Sequence, residues 1–134
     1  MSSRNLREKT MIDARQAPVR LKEGLIPGDT GIYLKIEQGP DAGAMADLSP
    51  GGVYVLGRDD ADLALKDPKV SRRHAEIGLY GPEAFIVRDL ASTNGTRVNG
   101  KRVSDRQKLK SGDLIQVGDT AIRFTVIAGA IRLS

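Results

Sequence analysis

The sequence predicts an all-β fold, an antiparallel β-sandwich or barrel, and three observations predict it. From residue 31 onward, short runs alternate apolar and polar residues, which is the period of a half-buried strand. Turn-forming clusters rich in glycine, proline, asparagine and aspartate separate these runs at close spacing. No long stretch shows the 3.6-residue apolar period of a helix that packs on a core. Many short strands joined by tight turns are typical of a two-sheet sandwich.

The first predicted strand is IYLKIE (32–37), in which isoleucine and leucine alternate with tyrosine, lysine and glutamate. Six further runs are predicted strands: AMADL (44–48), VYVLGR (53–58), HAEIGLY (74–80), AFIVRDL (84–90), DLIQVG (113–118) and TAIRFTVI (120–127). Within RVNGKRV, the pair Asn99 and Gly100 is a strong hairpin signal because both residues accept positive φ.

A chain of 134 residues is expected to hold one domain. Residues 1–30 lack the period-two pattern and are predicted to be a mostly irregular tail or linker, with a short helix that Pro18 would end. Residues 31–127 are the predicted folded domain. Residues 128–134 are interpreted as a C-terminal end or as a linker to a domain that the sequence does not include.

Composition excludes several classes of protein. No run of about eighteen apolar residues is present, so no membrane span or membrane partner is predicted, and the N-terminus does not resemble a secretory signal. The chain has no cysteine, which rules out disulfides and thiolate zinc sites and favours a cytoplasmic location. A net charge of +4 with 4% aromatic residues gives little support for nucleic-acid binding.

Two polar stretches and one arginine predict an anion-binding surface. A phosphate monoester carries about −1.5 to −2 charges and three acceptor oxygens, so its recognition requires donors from several directions. Arg58 follows a predicted strand and offers a planar fork that can bind two oxygens. Ser71 offers a hydroxyl and a backbone N–H, Arg72 adds charge, and Thr93 adds a second hydroxyl. The amide of Asn94 can both donate to and accept from the main chain of an extended peptide.

These residues also carry a family resemblance. The motifs, in chain order, are Gly57-Arg58, Ser71-Arg72-Arg73-His74, Thr93-Asn94-Gly95 and Asn99-Gly100. Their order and spacing resemble the forkhead-associated (FHA) domain over roughly residues 31–127. The resemblance implies an FHA-type sandwich of about eleven strands whose loops at one end bind phosphothreonine. It also implies no catalytic activity, no cofactor and no metal.

The resemblance assigns a role to each matching position. Arg58, Ser71, Arg72 and Thr93 are expected to bind the phosphate, although asparagine is common in the family where Arg72 stands. Asn94 is expected to bind the peptide main chain. Structural roles at the site are expected for Gly57, His74, Gly95, Asn99 and Gly100. Arg73 is expected to be solvated.

Catalysis is the alternative that the same residues raise. Ser71 and His74 are a conceivable nucleophile and base, but no nucleophile-elbow pattern of glycines surrounds the serine. The segment GPDAGA lacks the Gly-Lys-Ser/Thr ending of a phosphate-binding loop. The acids at 59, 60 and 62 are more typical of a solvated turn than of a metal site. The sequence therefore predicts a binding protein and not an enzyme.

The predicted function is a phosphothreonine-peptide-binding module in Ser/Thr-kinase signalling. Its partners would be a phosphorylated protein, a Ser/Thr kinase and a fused output domain. The alternative is a phospho-independent interaction scaffold on a degenerate FHA fold. In the family, a basic residue at the position of Lys69 favours aspartate three residues after phosphothreonine. Thr10 and Asp13 have that spacing, so the phosphorylated N-terminal tail is itself a candidate ligand.

Overall fold

The computed structural model describes residues 31–127; the N-terminal residues 1–30 and the C-terminal residues 128–134 lie outside that range. The described part contains eleven strands: β1 (Gly31–Gln38), β2 (Met45–Leu48), β3 (Val53–Gly57), β4 (Leu63–Ala64), β5 (Ala75–Leu79), β6 (Phe85–Asp89), β7 (Thr96–Val98), β8 (Lys101–Arg102), β9 (Arg106–Leu109), β10 (Leu114–Val117) and β11 (Thr120–Ile127). No helix long and apolar enough to cross a membrane occurs among these residues.

The strands form two sheets that pack face to face. The first sheet has six strands in the order β2-β1-β11-β10-β7-β8, and the second has five in the order β4-β3-β5-β6-β9. Strand pairing is antiparallel except between β3 and β4, which run parallel. The predicted all-β sandwich is confirmed, with one parallel pair that the sequence does not reveal.

The alternation along the strands builds the core. In β1, the residues at 32, 34 and 36 are buried while their neighbours face outward, as the period of two requires. The rings of Phe85 in the second sheet and Phe124 in the first sheet lie 5.5 Å apart between centroids, tilted by 60°. This pair links the two sheets by a favourable aromatic contact in addition to burying apolar area.

The seven predicted strands are all present, and no strand end differs from its predicted position by more than one residue. The hairpin predicted at Asn99 and Gly100 joins β7 to β8, and both turn residues have positive φ, 52° and 86°. Strands β4 and β9 were not predicted. The sequence of β9, RQKL, exposes its first three residues and has no alternation to detect, because it is an edge strand paired only with β6.

A buried carboxylate fixes the loop that follows β4. Asp67 is 1% exposed, and its Oδ2 accepts hydrogen bonds from the backbone N–H of Asp119 (2.7 Å) and the hydroxyl of Thr120 (2.8 Å). Its Oδ1 accepts from the backbone N–H of Lys69 at 2.9 Å. Burial opposes ionisation of Asp67, but these hydrogen bonds and the charge of Lys69 outweigh it, so the pKa of Asp67 is lowered. The loop before Ser71 is thereby held against the β10–β11 turn.

We expect Asp67→Asn to lower the free energy of unfolding at pH 7 by about 2–3 kcal/mol, because a charged acceptor of three hydrogen bonds becomes a neutral amide. The exposed Asp105→Asn, which removes the same charge, should change it by less than about 0.5 kcal/mol. Urea titrations of both variants would measure these values.

The same titrations as a function of pH test the ionisation. Since folding lowers the pKa of Asp67, its charge contributes stability above the unfolded-state pKa of about 4, and this contribution is lost as pH falls through the lower folded-state value. The wild-type protein should therefore lose more stability than Asp67→Asn between about pH 5 and pH 3. Parallel pH profiles of the two proteins would contradict the assignment.

Candidate functional site

Three loops meet at one end of the sandwich and carry most of the predicted site residues. They connect β3 to β4 (58–62), β4 to β5 (65–74) and β6 to β7 (90–95). Backbone hydrogen bonds tie the first two loops together: the N–H of Arg58 donates to the carbonyl of Ser71 at 3.0 Å, and that of Asp59 donates to Arg72 at 3.1 Å. Residues that are more than ten positions apart in sequence therefore share one surface.

Gly57 allows this close approach. A Cβ atom built on Gly57 would overlap the backbone carbonyl of Arg72 and lie 3.0 Å from the Cα of Arg73. Both obstacles are backbone atoms, which cannot rotate away as a flexible side chain can. The glycine of the Gly57-Arg58 motif is thus required by the packing of one loop on another, and its φ is not positive.

A hydrogen bond to the β4–β5 loop orients the side chain of Arg58. Its Nε donates to the carbonyl of Val70 at 2.9 Å, which fixes the plane of the guanidinium against the β4–β5 loop. The side chain is exposed, and no acid among residues 31–127 forms an ion pair with it. Its two terminal nitrogens can therefore donate to a planar or tetrahedral anion.

Ser71 and Thr93 lie next to each other across two loops. The hydroxyl oxygen of Ser71 accepts from the backbone N–H of Thr93 at 3.0 Å, which leaves the hydroxyl hydrogen of Ser71 free to donate. The backbone N–H of Ser71, which the sequence offers as a second donor, is not free in this structure. This N–H donates to Nδ1 of His74 at 2.9 Å and is therefore already used inside the protein.

His74 is fully buried and connects the loops from below. Its Nδ1 accepts from Ser71, so the ring is the tautomer whose Nε2–H donates to the carbonyl of Gly95 at 2.8 Å. Both ring nitrogens are thus bonded to backbone groups. The hydroxyl of Ser71 has no hydrogen bond to the ring, so this pair lacks the geometry of a nucleophile and its base.

A carboxylate that the sequence analysis did not single out supports the β6–β7 loop. Asp89 Oδ1 accepts from the hydroxyls of Ser92 and Thr96, each at 2.6 Å, and Oδ2 accepts from the N–H of Ser92 at 3.1 Å. Burial opposes its charge, but these hydrogen bonds outweigh burial and lower the pKa of Asp89. The Asp-x-x-Ser spacing is a turn signal that could have indicated this network.

Asn94 and Lys69 form the side of the site nearest the β10–β11 turn. The amide Nδ2 of Asn94 donates to the backbone carbonyl of Lys69 at 2.9 Å. The Nζ of Lys69 lies 3.3 Å from Oδ2 of Asp119, and both side chains are more than 60% exposed. The amide oxygen of Asn94 remains available at the surface.

Two further arginines already have acidic neighbours. Arg72 lies 3.5 Å from Asp59, and Arg73 lies 3.7 Å from Asp60, with all four side chains at least half exposed. Exposed ion pairs of this kind are worth little and exchange easily with an incoming anion. Arg72 can therefore contact a bound phosphate only by loosening its pair with Asp59.

Some predicted residues lie elsewhere. Asn99 and Gly100 stand at the opposite end of β7 from the three loops, where the Asn99 side chain bonds Asp113 at 2.9 Å and the N–H of Leu114 at 2.9 Å. The structure therefore does not bring this pair to the site. Thr10 and Asp13 are outside the described residues. Within residues 31–127, no group of three or more acids or histidines is placed to hold a metal ion.

Comparison with known proteins gives the family. The FHA domain model matches residues 54–118, the range from β3 to the turn after β10. The FHA domain-containing protein FhaB of Mycobacterium tuberculosis is 37% identical over 126 residues, which is 87% of this chain and 81% of FhaB. The chain belongs to the FHA family.

Other members are similarly close. The oxoglutarate dehydrogenase inhibitor of Corynebacterium efficiens is 36% identical over 90% of this chain and 82% of its own length. Among solved structures, the FHA domain of CT664 from Chlamydia trachomatis aligns with a TM-score of 0.68 and 29% identity over 71% of this chain and 96% of that domain. The FHA domain of FhaA, solved with the intracellular domain of Rv3910, aligns with a TM-score of 0.61 and 36% identity over 69% and 98%.

The contact at Gly57 gives a direct test of how the loops are held. We expect Gly57→Ala to lower the free energy of unfolding by about 2–3 kcal/mol, because the new methyl group must displace the backbone of the β4–β5 loop. Gly81→Ala is the matched control, since a Cβ there meets only Ala84 at 3.6 Å and should cost less than about 0.5 kcal/mol. Thermal unfolding of the two variants decides the point. Equal melting temperatures would mean that the loop does not need the close approach.

Proposed function

We propose that residues 31–127 are an FHA domain that binds phosphothreonine-containing peptides and acts in Ser/Thr-kinase signalling. One observation carries the proposal. Arg58, Ser71 and Thr93 lie on three loops that hydrogen bonds join at one end of the sandwich, and Arg58 has no acidic partner among the described residues. An exposed, oriented arginine without a counter-ion, beside two hydroxyl donors, matches the charge and the several acceptor oxygens of a phosphate monoester.

The proposed phosphate contacts follow from which donors are free. Arg58 supplies a two-pronged contact from its Nη atoms, since its Nε is bonded to Val70. Ser71 donates its hydroxyl, since its N–H is bonded to His74. Thr93 donates its hydroxyl, and Arg72 adds charge after it separates from Asp59. These four groups come from three loops, so they can approach a phosphate from more than one side.

Asn94 is proposed to hold the peptide main chain. Its Nδ2 is bonded to the carbonyl of Lys69, which fixes the amide and directs its oxygen toward a peptide N–H. Lys69 is proposed to favour an acidic residue three positions after the phosphothreonine. Its present partner, Asp119, is exposed, so a peptide carboxylate can replace it at little cost.

Related proteins support a role in binding and regulation without catalysis. One aligned FHA structure comes from a study of phosphothreonine-dependent FHA domain interactions, and another is Mycobacterium tuberculosis EmbR in complex with a phosphopeptide. One relative is named an inhibitor of an enzyme, oxoglutarate dehydrogenase. We propose that this chain likewise regulates a partner or a fused output domain by binding.

We expect Arg58→Ala to weaken binding of a phosphothreonine peptide about 30- to 1000-fold, because a charge-assisted two-pronged contact is lost. Arg73→Ala removes the same charge nearby, where the side chain is paired with Asp60, and should weaken binding less than about threefold. Isothermal titration calorimetry with phosphorylated and unphosphorylated forms of one peptide measures both. Equal affinity of wild type and Arg58→Ala would favour the phospho-independent scaffold instead.

The phosphorylated N-terminal tail is proposed as one ligand of the domain. Thr10 precedes β1 by about twenty residues, and an unstructured chain of that length spans roughly 25 Å. The tail joins the domain at Gly31, which lies at the end of β1 away from the three loops. β1 has eight residues, or about 26 Å of strand, so the tail is just long enough to bring Thr10 back to Arg58.

Phosphorylation of Thr10 is therefore expected to block the site to other peptides. At an effective concentration near millimolar, a tail that binds with micromolar affinity would reduce binding of an added phosphothreonine peptide by two to three orders of magnitude. The full chain is treated with a Ser/Thr kinase and titrated with that peptide, beside Thr10→Ala and the control Thr30→Ala. The proposal is wrong if the phosphorylated wild type and Thr10→Ala bind the peptide equally.

A further inference from the structure

Two arginines beside the proposed peptide site have no role in the function described so far. Arg97 and Arg102 are directly paired across β7 and β8, so their side chains project from the same face of the first sheet. Both are exposed. Neither side chain forms an ion pair or a hydrogen bond with another residue in the range 31–127.

Such a pair is unfavourable within the protein itself. Residues directly opposite in an antiparallel pair have Cβ atoms about 5 Å apart, and like charges at that spacing destabilise the sheet. Most other arginines of the described part have an acidic neighbour, including Arg72, Arg73, Arg88, Arg106 and Arg123. Arg58, the proposed phosphate ligand, also lacks one. Like Arg58 in the proposed site, Arg97 and Arg102 are therefore cations without an acidic neighbour among the described residues.

Arg102 touches the loop that carries Asn94. The position that a Cβ would occupy on Gly95 lies 3.1 Å from Cζ and 3.2 Å from Nη2 of Arg102, so the guanidinium rests on the bare backbone of Gly95. Gly95 also has a φ of +84°, and its carbonyl accepts the hydrogen bond from Nε2–H of His74. The guanidinium is therefore placed one residue from the amide proposed to hold the peptide.

The order of strands places Arg102 and Lys69 on opposite sides of Asn94. Lys69 pairs with Asp119 in the turn between β10 and β11, whereas Arg102 lies in β8, and β7 stands between them in the sheet order β11-β10-β7-β8. If the peptide residues that follow the phosphothreonine extend toward Lys69, the residues that precede it extend toward β8. Neighbouring strands are about 4.8 Å apart, so one or two strand spacings correspond to about one to three extended residues.

We propose that Arg102, with Arg97 beside it, forms a second anion subsite that binds an acidic or phosphorylated side chain one to three residues before the phosphothreonine. The subsite rests on the proposed function, since it reads the same peptide. The fork of an arginine can bind either a carboxylate or a phosphate, and an anion there would also relieve the repulsion between the two guanidinium groups. Selection on both sides of the phosphothreonine would make recognition depend on a longer sequence than Lys69 alone can read.

The test compares three phosphothreonine peptides that differ only at the three positions before the phosphothreonine. In the first peptide these positions are all glutamine, and in the second they are all aspartate. In the third, one of them is phosphoserine and the other two are glutamine. The peptides are titrated against the full, unphosphorylated chain, Arg102→Gln and Lys101→Gln. Lys101 is the matched control because it is exposed on the same short strand but is paired with Val98, on the other face. Both positions are on the surface, so the two variants are expected to fold.

We expect wild type to bind the aspartate peptide about three- to fivefold more tightly than the glutamine peptide, and the phosphoserine peptide about tenfold more tightly. Arg102→Gln should reduce both preferences to less than twofold, and Lys101→Gln should retain them. Raising the salt concentration to about 0.5 M should shrink them as well, because exposed charges are screened.

The outcomes separate the subsite from the proposed function. Equal binding of the three peptides by wild type, or equal loss of preference in Arg102→Gln and Lys101→Gln, would overturn the subsite alone. A preference for phosphoserine without one for aspartate would assign the subsite to phosphate and exclude carboxylate. Failure of wild type to bind any of the peptides more tightly than their unphosphorylated threonine forms would overturn the proposed function and the subsite with it.

Discussion

The buried ring of His74 joins the two loops that carry Ser71 and Thr93, and the shape of the binding surface depends on this link. Each ring nitrogen bonds one backbone group, the N–H of Ser71 and the carbonyl of Gly95, which belong to different loops. A neutral imidazole suits this position because it donates from one side and accepts on the other. Burial makes the two bonds costly to lose, since either backbone group would be left unpaired away from water.

Two carboxylates, Asp67 and Asp89, also hold the loops of the site in place. Asp67 holds the β4–β5 loop against the β10–β11 turn. Asp89 fixes the β6–β7 loop by accepting hydrogen bonds from the hydroxyls of Ser92 and Thr96. In both, several hydrogen bonds outweigh the penalty of burial, so the charge is kept at neutral pH. The loops of this site are therefore held by hydrogen bonds to buried side chains. The donors available to a ligand are those that these internal hydrogen bonds do not use.

The cations near the site fall into two groups, those with an acidic neighbour and those without one. Arg72, Arg73 and Lys69 have exposed acidic neighbours that can be exchanged for a ligand. Arg58 and Arg102 have none among residues 31–127, yet each is placed firmly, one by the carbonyl of Val70 and the other on the bare backbone of Gly95. A cation that is oriented but not neutralised is preorganised for an anion, which reduces the entropy lost on binding.

The sequence by itself determined the fold class, the seven strands with alternating residues, the Asn99-Gly100 hairpin and the family, because these depend on patterns between near neighbours. It also named Arg58, Ser71 and Asn94 as site residues. Only the tertiary structure decided that β9 pairs with β6, that the N–H of Ser71 is used by His74, that Asn99 lies away from the site, and that Arg102 lies on Gly95. Those facts depend on which distant segments the sheet order brings together, and spacing along the chain does not encode that order.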